Sequence, residues 1–371
     1  MTKQDLRQMD SAAIRTTKEI AFLAISQAHQ FLHWLPAALR LAREPGLKVT
    51  VLVSTQASED FIRSYDPEGR LHIERLRAPS LRRHGLFTPP HRLSVLLMNA
   101  RSIARYPTIV TTETTSSWLR RLPRFRSEMV HLNHGAGDRE AGYERKHRHF
   151  DLTLVGGPKD RQRMIERGLT TARTCVVAGC GKFELVRSPS ECLFEDERPI
   201  ALYNPHFDRR VSSWRHSRRV LRAMESIAEW NFVVAPHVRL RSGRTIRSKS
   251  PNIMIDRGST RSIDMTYTQS AAVYIGDASS QVYEFIRNPR PCIFLNLDRV
   301  DWRADPAYTH WHFGQVIENI EDLPGALTRA HALQPRFEPV QLQLYAASIE
   351  QTAMPASERQ AQAIIDFARR A

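Results

Sequence analysis

Residues 270–296 read SAAVYIGDASSQVYEFIRNPRPCIFLN, and the order of residue types in this stretch decides the fold. Val273-Tyr274-Ile275 is a short apolar run of β-formers, as a buried parallel strand requires. Gly276-Asp277-Ala278-Ser279-Ser280 interrupts it with small and polar residues. Val282, Tyr283, Phe285 and Ile286 follow at helical spacing, and Asn288-Pro289 ends that helix. Cys292-Ile293-Phe294-Leu295 is the next buried strand. A hydroxyl-rich turn that opens a helix offers an anion backbone N–H groups, two hydroxyls and the positive helix end. Glu284, one turn further on, can accept hydrogen bonds from ribose hydroxyls. An ordinary strand-to-helix turn with Ser279 or Ser280 as N-cap fits the local pattern equally well.

Working outward, the same alternation of strand and helix runs through most of the 371 residues. Strands are predicted at 20–25, 49–53, 71–76, 108–111, 129–132, 152–155 and 175–178. Residues 26–33 read as a loop and helix entry carrying His29 and His33, followed by a helix over 35–42. The polar segment 188–198 (SPSECLFEDER) reads as a linker. A second α/β unit then begins at Ile200, with a helix over 214–228 and strands at 232–235, 253–255, 273–275, 293–295 and 315–317. Residues 340–371 read as one amphipathic helix. Strands separated by helical segments predict doubly wound parallel sheets, and the length predicts two domains. The boundaries expected are a tail over 1–17, a first domain over 18–187, a second over 199–340 and a terminal helix over 341–371.

Hydrophobic residues make up 42% and charged residues 25%, ordinary values for a globular chain. No apolar run is long enough to span a bilayer, and the polar N-terminus lacks a signal-peptide core. The expected location is the cytoplasm, with peripheral association at the inner face of the membrane. Cys175, Cys180, Cys192 and Cys292 form no C-x-x-C pair and read as small hydrophobes rather than disulfides or zinc ligands. The net charge of +15 is mostly arginine, clustered at Arg82-Arg83, Arg120–Arg126, Arg139–Arg148 and Arg239–Lys249. Such a surface attracts nucleic acid, anionic lipid or phosphorylated substrates. Nucleic acid is disfavoured, because no nucleic-acid-binding signature accompanies the charge. P-loop, dinucleotide-binding, hydrolase-elbow and zinc-protease motifs are absent as well.

In open parallel sheets ligands bind at the carboxyl ends of strands. His134 follows the strand at 129–132, on a glycine-bearing loop, and can take a proton from an acceptor hydroxyl. A surface or capping histidine is the alternative. His237 follows the strand at 232–235 through Pro236, where it can donate to a phosphate oxygen, and Arg239 can add a bidentate contact.

Asp277-x-Ser279-Ser280-x-x-x-Glu284 resembles the D-x-S-S-x-x-x-[DE] segment of the CDP-glycerol glycerophosphotransferases, the teichoic-acid primases and polymerases. Asn133-His134-Gly135, Gly179-Cys180-Gly181-Lys182, Leu202-Tyr203-Asn204-Pro205 and Ala235-Pro236-His237 fall in that family's order. The resemblance covers roughly 130–300. It implies a GT-B architecture: α/β, two Rossmann-like doubly wound domains with a cleft between them. It also implies a transferase moving glycerol phosphate from a CDP-linked alditol to a hydroxyl of a glycan or lipid-linked acceptor. His134 then stands where the family has its catalytic base and His237 where it has its phosphate-binding histidine. Lys182, Asn204, Arg239, Asp277, Ser279, Ser280 and Glu284 would hold the nucleotide and its phosphates. Asn133, Gly135 and His29 would lie on the acceptor side. No cofactor or metal is expected. Asn133 stands where the family has tryptophan, Lys182 where it has arginine, and His206 and Asp208 where it has threonine and arginine. Two alternatives stay open: a sugar-nucleotide glycosyltransferase or 2-epimerase on the same fold, and a non-catalytic polyanion-binding module.

Overall fold

The apolar runs form two parallel sheets in the computed structural model, which describes residues 18–79, 84–138, 143–186, 192–240 and 246–370. The tail 1–17, residues 188–191 of the expected linker and Arg82, Arg83, Arg139, Arg241 and Arg244 of the basic clusters lie outside the described residues.

The first sheet contains β1 (Lys18–Ala24), β2 (Leu47–Val53), β3 (His72–Arg75), β4 (Thr108–Thr111), β5 (Glu128–Leu132), β6 (Leu152–Val155) and β7 (Cys175–Val177), in the order β3-β2-β1-β4-β5-β6-β7. The second contains β8 (Ile200–Asn204), β9 (Asn231–Val234), β10 (Ile253–Ile255), β11 (Val273–Gly276), β12 (Cys292–Leu295) and β13 (Gln315–Ile317), in the order β10-β9-β8-β11-β12-β13. Central strands such as β4, β9, β11 and β12 are buried along their whole length, which is why their sequences are continuous apolar runs without polar alternation. These are doubly wound sheets: in each, strand order reverses about the middle, between β1 and β4 and between β8 and β11.

Chain contacts divide the described residues into two units. The described residues of the first fall within Met1–Asn133, Lys146–Leu154 and Met354–Ala371, and those of the second within His134–Arg145 and Val155–Ala353. In the first unit, α1 (Ala28–Leu41) covers the sheet, with Trp34 packed 5.1 Å from Phe22 between ring centroids. Helix α1 begins at Ala28, so His29 and His33 lie on it and not on a loop. Pro36 sits inside this helix without breaking it. The proline removes one backbone donor, but Phe31, Leu32, Trp34 and Leu35 are all buried and hold the register.

In the second unit, apolar clusters lie on both faces of the sheet. Ala201, Tyr203, Val273 and Ile275 point to one, while Leu202 and Tyr274 point to the other, as strand alternation demands. The expected terminal helix is two helices, a 26-residue helix Leu323–Ser348 and a second over Ala356–Arg370. Between them Ile349 is extended (φ −136°), and Pro355 disfavours helical geometry at the residue before it. The later helix packs along α1, where Arg40 pairs with Glu358. The helix expected over 214–228 is a 3-10 turn at Ser213–His216 followed by Ser217–Glu225. The four cysteines are free, and Cys192 is exposed, unlike the buried Cys175 and Cys292.

Gly157 opens the helix Pro158–Glu166 beneath the carboxyl end of Leu323–Ser348. A Cβ there would lie 2.4 Å from the Ser348 carbonyl carbon. Gly157→Ala should therefore cost about 1–3 kcal/mol through overpacking, read as a lower urea midpoint. Wild-type stability in this variant would refute the close approach.

Candidate functional site

The second sheet reverses between β8 and β11, and Asn204 is paired in register with Gly276 at their carboxyl ends. The turn that follows β11 is built around Asp277. Its Oδ1 accepts the His206 N–H at 2.9 Å and the Ala278 N–H at 2.7 Å. Its Oδ2 accepts the Ser213 N–H at 2.7 Å and hydroxyl at 2.8 Å. The Asp277 carbonyl accepts Trp311 Nε1 at 3.0 Å and faces His310 Nε2 at 2.8 Å. Burial pushes the Asp277 carboxyl pKa up, and the Ser213 and His206 donors pull it back. Ser279 is buried and donates to Asn204 Oδ1 at 2.7 Å, while Asn204 Nδ2 donates to the Ala235 carbonyl at 2.7 Å. Asp277, Ser279 and Asn204 thus shape the turn from within. Ser280 is the exposed hydroxyl of the segment. The helix it opens, Gln281–Phe285, has 5 residues, so its dipole is smaller than a full helix would supply.

The loop His134–Asp138 clusters with this turn. Gly135 has φ +83°, open to glycine at no steric cost. A Cβ at Gly135 would lie 3.5 Å from Ser280 Oγ, and one at Gly137 would lie 3.4 Å from Ser280 Cβ. The glycines let the loop backbone lie directly against Ser280. Asp138 ties the loop down. Its buried carboxylate accepts from Lys159 Nζ at 2.8 Å and Tyr283 OH at 2.8 Å, and faces His310 Nδ1 at 3.1 Å. Both His310 nitrogens face oxygen atoms, Asp138 Oδ2 and the Asp277 carbonyl. Burial alone would raise the Asp138 pKa, but the His310 hydrogen bond and the Lys159 charge hold it well below the usual carboxylate range.

His237 and His206 follow adjacent strands in the same setting, Pro236-His237 after β9 and Pro205-His206 after β8, with ring centroids 5.7 Å apart. His237 Nδ1 accepts the Arg239 N–H at 3.2 Å, and His206 Nδ1 accepts the Asp208 N–H at 3.0 Å. In the neutral rings each proton therefore sits on Nε2, as a donor. Burial, then the Arg239 and His134 charges, push the His237 pKa down to about 3. The same coupling places His134 and His237 within electrostatic reach of each other. Arg239 is exposed, with its guanidinium 4.0 Å above the Phe207 ring. Lys182 is buried and bonds Glu284 Oε1 at 2.5 Å, orienting the carboxylate. Glu284 Oε2 has no hydrogen-bond partner among the described residues and remains an acceptor.

His134, Gly135, Lys182, Asn204, His237, Arg239, Asp277, Ser279, Ser280 and Glu284 all belong to the second unit. His29, near the start of α1, and Asn133, which follows β5 and donates to the Leu154 carbonyl at 2.8 Å, belong to the first. Sequence reasoning missed Asp138, Lys159, Tyr283 and His310. Asp138 and His310 are 172 residues apart, and no local pattern links them. Among the described residues no three His, Cys, Asp or Glu side chains converge on a metal position, and Asp208 pairs with Arg210. None of the described helices is long and apolar enough to cross a membrane.

The chain matches no family model and no curated protein by sequence. It does resemble solved structures along its length. The wall teichoic acid polymerase TagF, in a variant soaked with CDPG, is 11% identical with a TM-score of 0.65, covering 99% of this chain and 97% of that one. The UDP-GlcNAc 2-epimerase from Neisseria meningitidis bound to UDP-GlcNAc is 10% identical with a TM-score of 0.63, covering 95% and 100%. The calicheamicin glycosyltransferase CalG4 is 14% identical with a TM-score of 0.57, covering 96% and 99%. With the two parallel sheets, these likenesses establish the GT-B fold.

Two outcomes follow from the geometry. Asp138→Asn removes one partner of a buried charge cluster and should cost about 3–5 kcal/mol in urea unfolding at pH 7. Because the folded Asp138 pKa is depressed, its contribution is complete above the unfolded carboxylate pKa, and the variant's deficit should shrink below about pH 4. A deficit under about 1 kcal/mol at pH 7 would contradict this role for the cluster. His237 acts in the same direction at higher pH. Its folded pKa of about 3 lies below the ordinary 6.5, so the unfolded chain binds the proton first and the wild type loses stability as pH falls through that interval. The pH dependence of His237→Gln, compared with wild type by urea midpoint, should lack this component; parallel profiles would refute it.

Proposed function

We propose that this chain is a GT-B transferase that moves an alditol phosphate, glycerol phosphate in the first instance, from a CDP-linked donor to a hydroxyl of a glycan or lipid-linked acceptor. One observation carries the reading. The turn Asp277–Glu284, the loop His134–Asp138 and His237 converge at the strand ends where the second sheet reverses. The ordered motifs of the glycerophosphotransferases fall on the same residues, and TagF is among the structures this chain resembles.

The proposed roles follow from the donors and acceptors in place. Glu284 Oε2, held by Lys182, accepts from the ribose hydroxyls. Ser280 and Arg239 meet the diphosphate, and Lys182 serves the nucleotide by fixing the Glu284 carboxylate. Asp277, Asn204 and Ser279 keep the turn in shape. His134 takes the proton from the acceptor hydroxyl as its oxygen forms a bond to the donor's distal phosphorus. The bridging phosphorus–oxygen bond breaks, and CMP leaves with that bonding pair. His237 is neutral at pH 7, so it donates from Nε2 to the phosphoryl oxygens without needing to be charged, and Arg239 offsets the charge that develops. Gly135 allows the approach to the acceptor, with Asn133 and His29 proposed on the acceptor side. The basic arginine-rich surface is proposed to bring the enzyme to an anionic membrane or polymer.

Transfer or 2-epimerisation of a nucleotide-linked sugar is the second reading. The likeness to a 2-epimerase and to a glycosyltransferase favours it. So does Asp208, a carboxylate where the glycerophosphotransferases carry an arginine.

A thermal-shift panel of CDP-glycerol, CDP-ribitol, CMP, UDP-sugars and GDP-sugars separates these readings. Selective stabilisation by the cytidine compounds is expected, and a uridine or guanosine sugar would instead replace the reaction with sugar chemistry. His134→Ala should keep the nucleotide shift and lower kcat by about 10²–10⁴-fold. No response to any nucleotide, with His134→Ala unchanged in every assay, would leave only the polyanion-binding module.

A further inference from the structure

The segment after β8 and the first turn of the helix Ser217–Glu225 enclose a cavity of about 530 Å³. This volume is in the range of small-molecule sites. Its wall is cationic: Arg209, Arg215, Arg218 and Arg247 all line it. Only Arg215 has a carboxylate partner, Asp298. Arg209, Arg218 and Arg247 are exposed and form no ion pair among the described residues. Ser212 and Ser217 add hydroxyls, and the first helical turn beside them carries no acid. Trp214, Leu221, Leu240 and Ile246 line the cavity with apolar surface. Among the described residues no carboxylate lines it, and the guanidinium groups make it a cationic surface.

The cavity shares no lining residue with the turn Asp277–Glu284. Trp214, Leu221 and Leu240 belong to the apolar cluster on one face of the second sheet, while Val282, Tyr283 and Phe285 belong to the cluster on the other.

We propose that this cavity is a second anion site, separate from the donor turn, that binds a phosphate ester joined to an apolar body. The guanidinium groups bind the phosphate oxygens through paired N–H donors. The apolar body, aromatic or acyl, rests on Trp214 and its aliphatic neighbours. The proposal does not depend on the transferase reading.

Calorimetry on the full chain tests it, with inorganic phosphate, phenyl phosphate and monomeric dioctanoyl phosphatidate as probes. At least one ester should bind tenfold or more tightly than inorganic phosphate, and which one does so distinguishes an aromatic from a lipid source. That affinity should fall tenfold or more in the Arg209→Ala/Arg218→Ala double variant, whose exposed positions leave the unfolding midpoint unchanged, and should weaken with added salt. Ser280→Ala, in the donor turn, should leave it intact. Esters that bind no better than inorganic phosphate would overturn the proposal. So would affinity that survives the double variant, or affinity lost in Ser280→Ala.

Discussion

The buried carboxylate of Asp277 is the constraint on which the second unit's site depends. A carboxylate in the interior must be met on both oxygens or it costs several kcal/mol. Here the His206, Ala278 and Ser213 donors meet it. Those donors come from the segment leaving β8 and from the turn leaving β11, so one side chain sets the separation of two strand exits. The Asp277 carbonyl does the same for a third segment through Trp311 and His310. The turn is therefore held by internal bonds, Ser280 is left exposed, and Glu284 Oε2 is a buried acceptor with no hydrogen-bond partner among the described residues.

The second element of order is the Asp138 cluster. Placing a carboxylate, an imidazole ring, an ammonium and a phenol together in the interior is stable only when each offsets the desolvation of the others. The consequence is positional. The loop bearing His134 is anchored at Asp138, four residues on, and its glycines let it lie against Ser280. Neutral His237 fits the same pattern: burial near Arg239 removes its charge, while the Nδ1 hydrogen bond keeps a donor on Nε2. In the proposed transferase its contribution is that of a directed dipole, and Arg239 supplies the formal charge.

The chain's excess of arginine divides along the same lines. Many arginines are matched, as Arg120 is with Asp151, Arg63 and Arg75 with Glu59, and Arg40 with Glu358 and Glu44. Exposed pairs of this kind contribute little to stability. The unmatched guanidinium groups around the cavity after β8 are different, because a concentration of like charge without counter-charge is unfavourable on its own.

The amino-acid sequence by itself determined the parallel α/β architecture and the strands within a residue or two. Buried parallel strands are continuous β-branched and apolar runs, and that signal is local. It also placed Asp277, Ser279, Ser280 and His237 at strand ends, where such sheets bind ligands, and Glu284 on the helix that follows. The sequence misled where local rules met tertiary packing. The sequence predicts α1 only from residue 35, whereas buried Phe31, Leu32 and Trp34 carry it from Ala28 through Pro36, and it predicts one terminal helix where the chain breaks before Pro355. Only the tertiary structure decided what the polar residues do. Ser279 and Asn204 satisfy each other, Lys182 holds Glu284, and Asp138 meets a histidine far along the chain. Those pairings depend on which buried polar groups the fold brings within hydrogen-bonding distance, and no spacing along the chain encodes that.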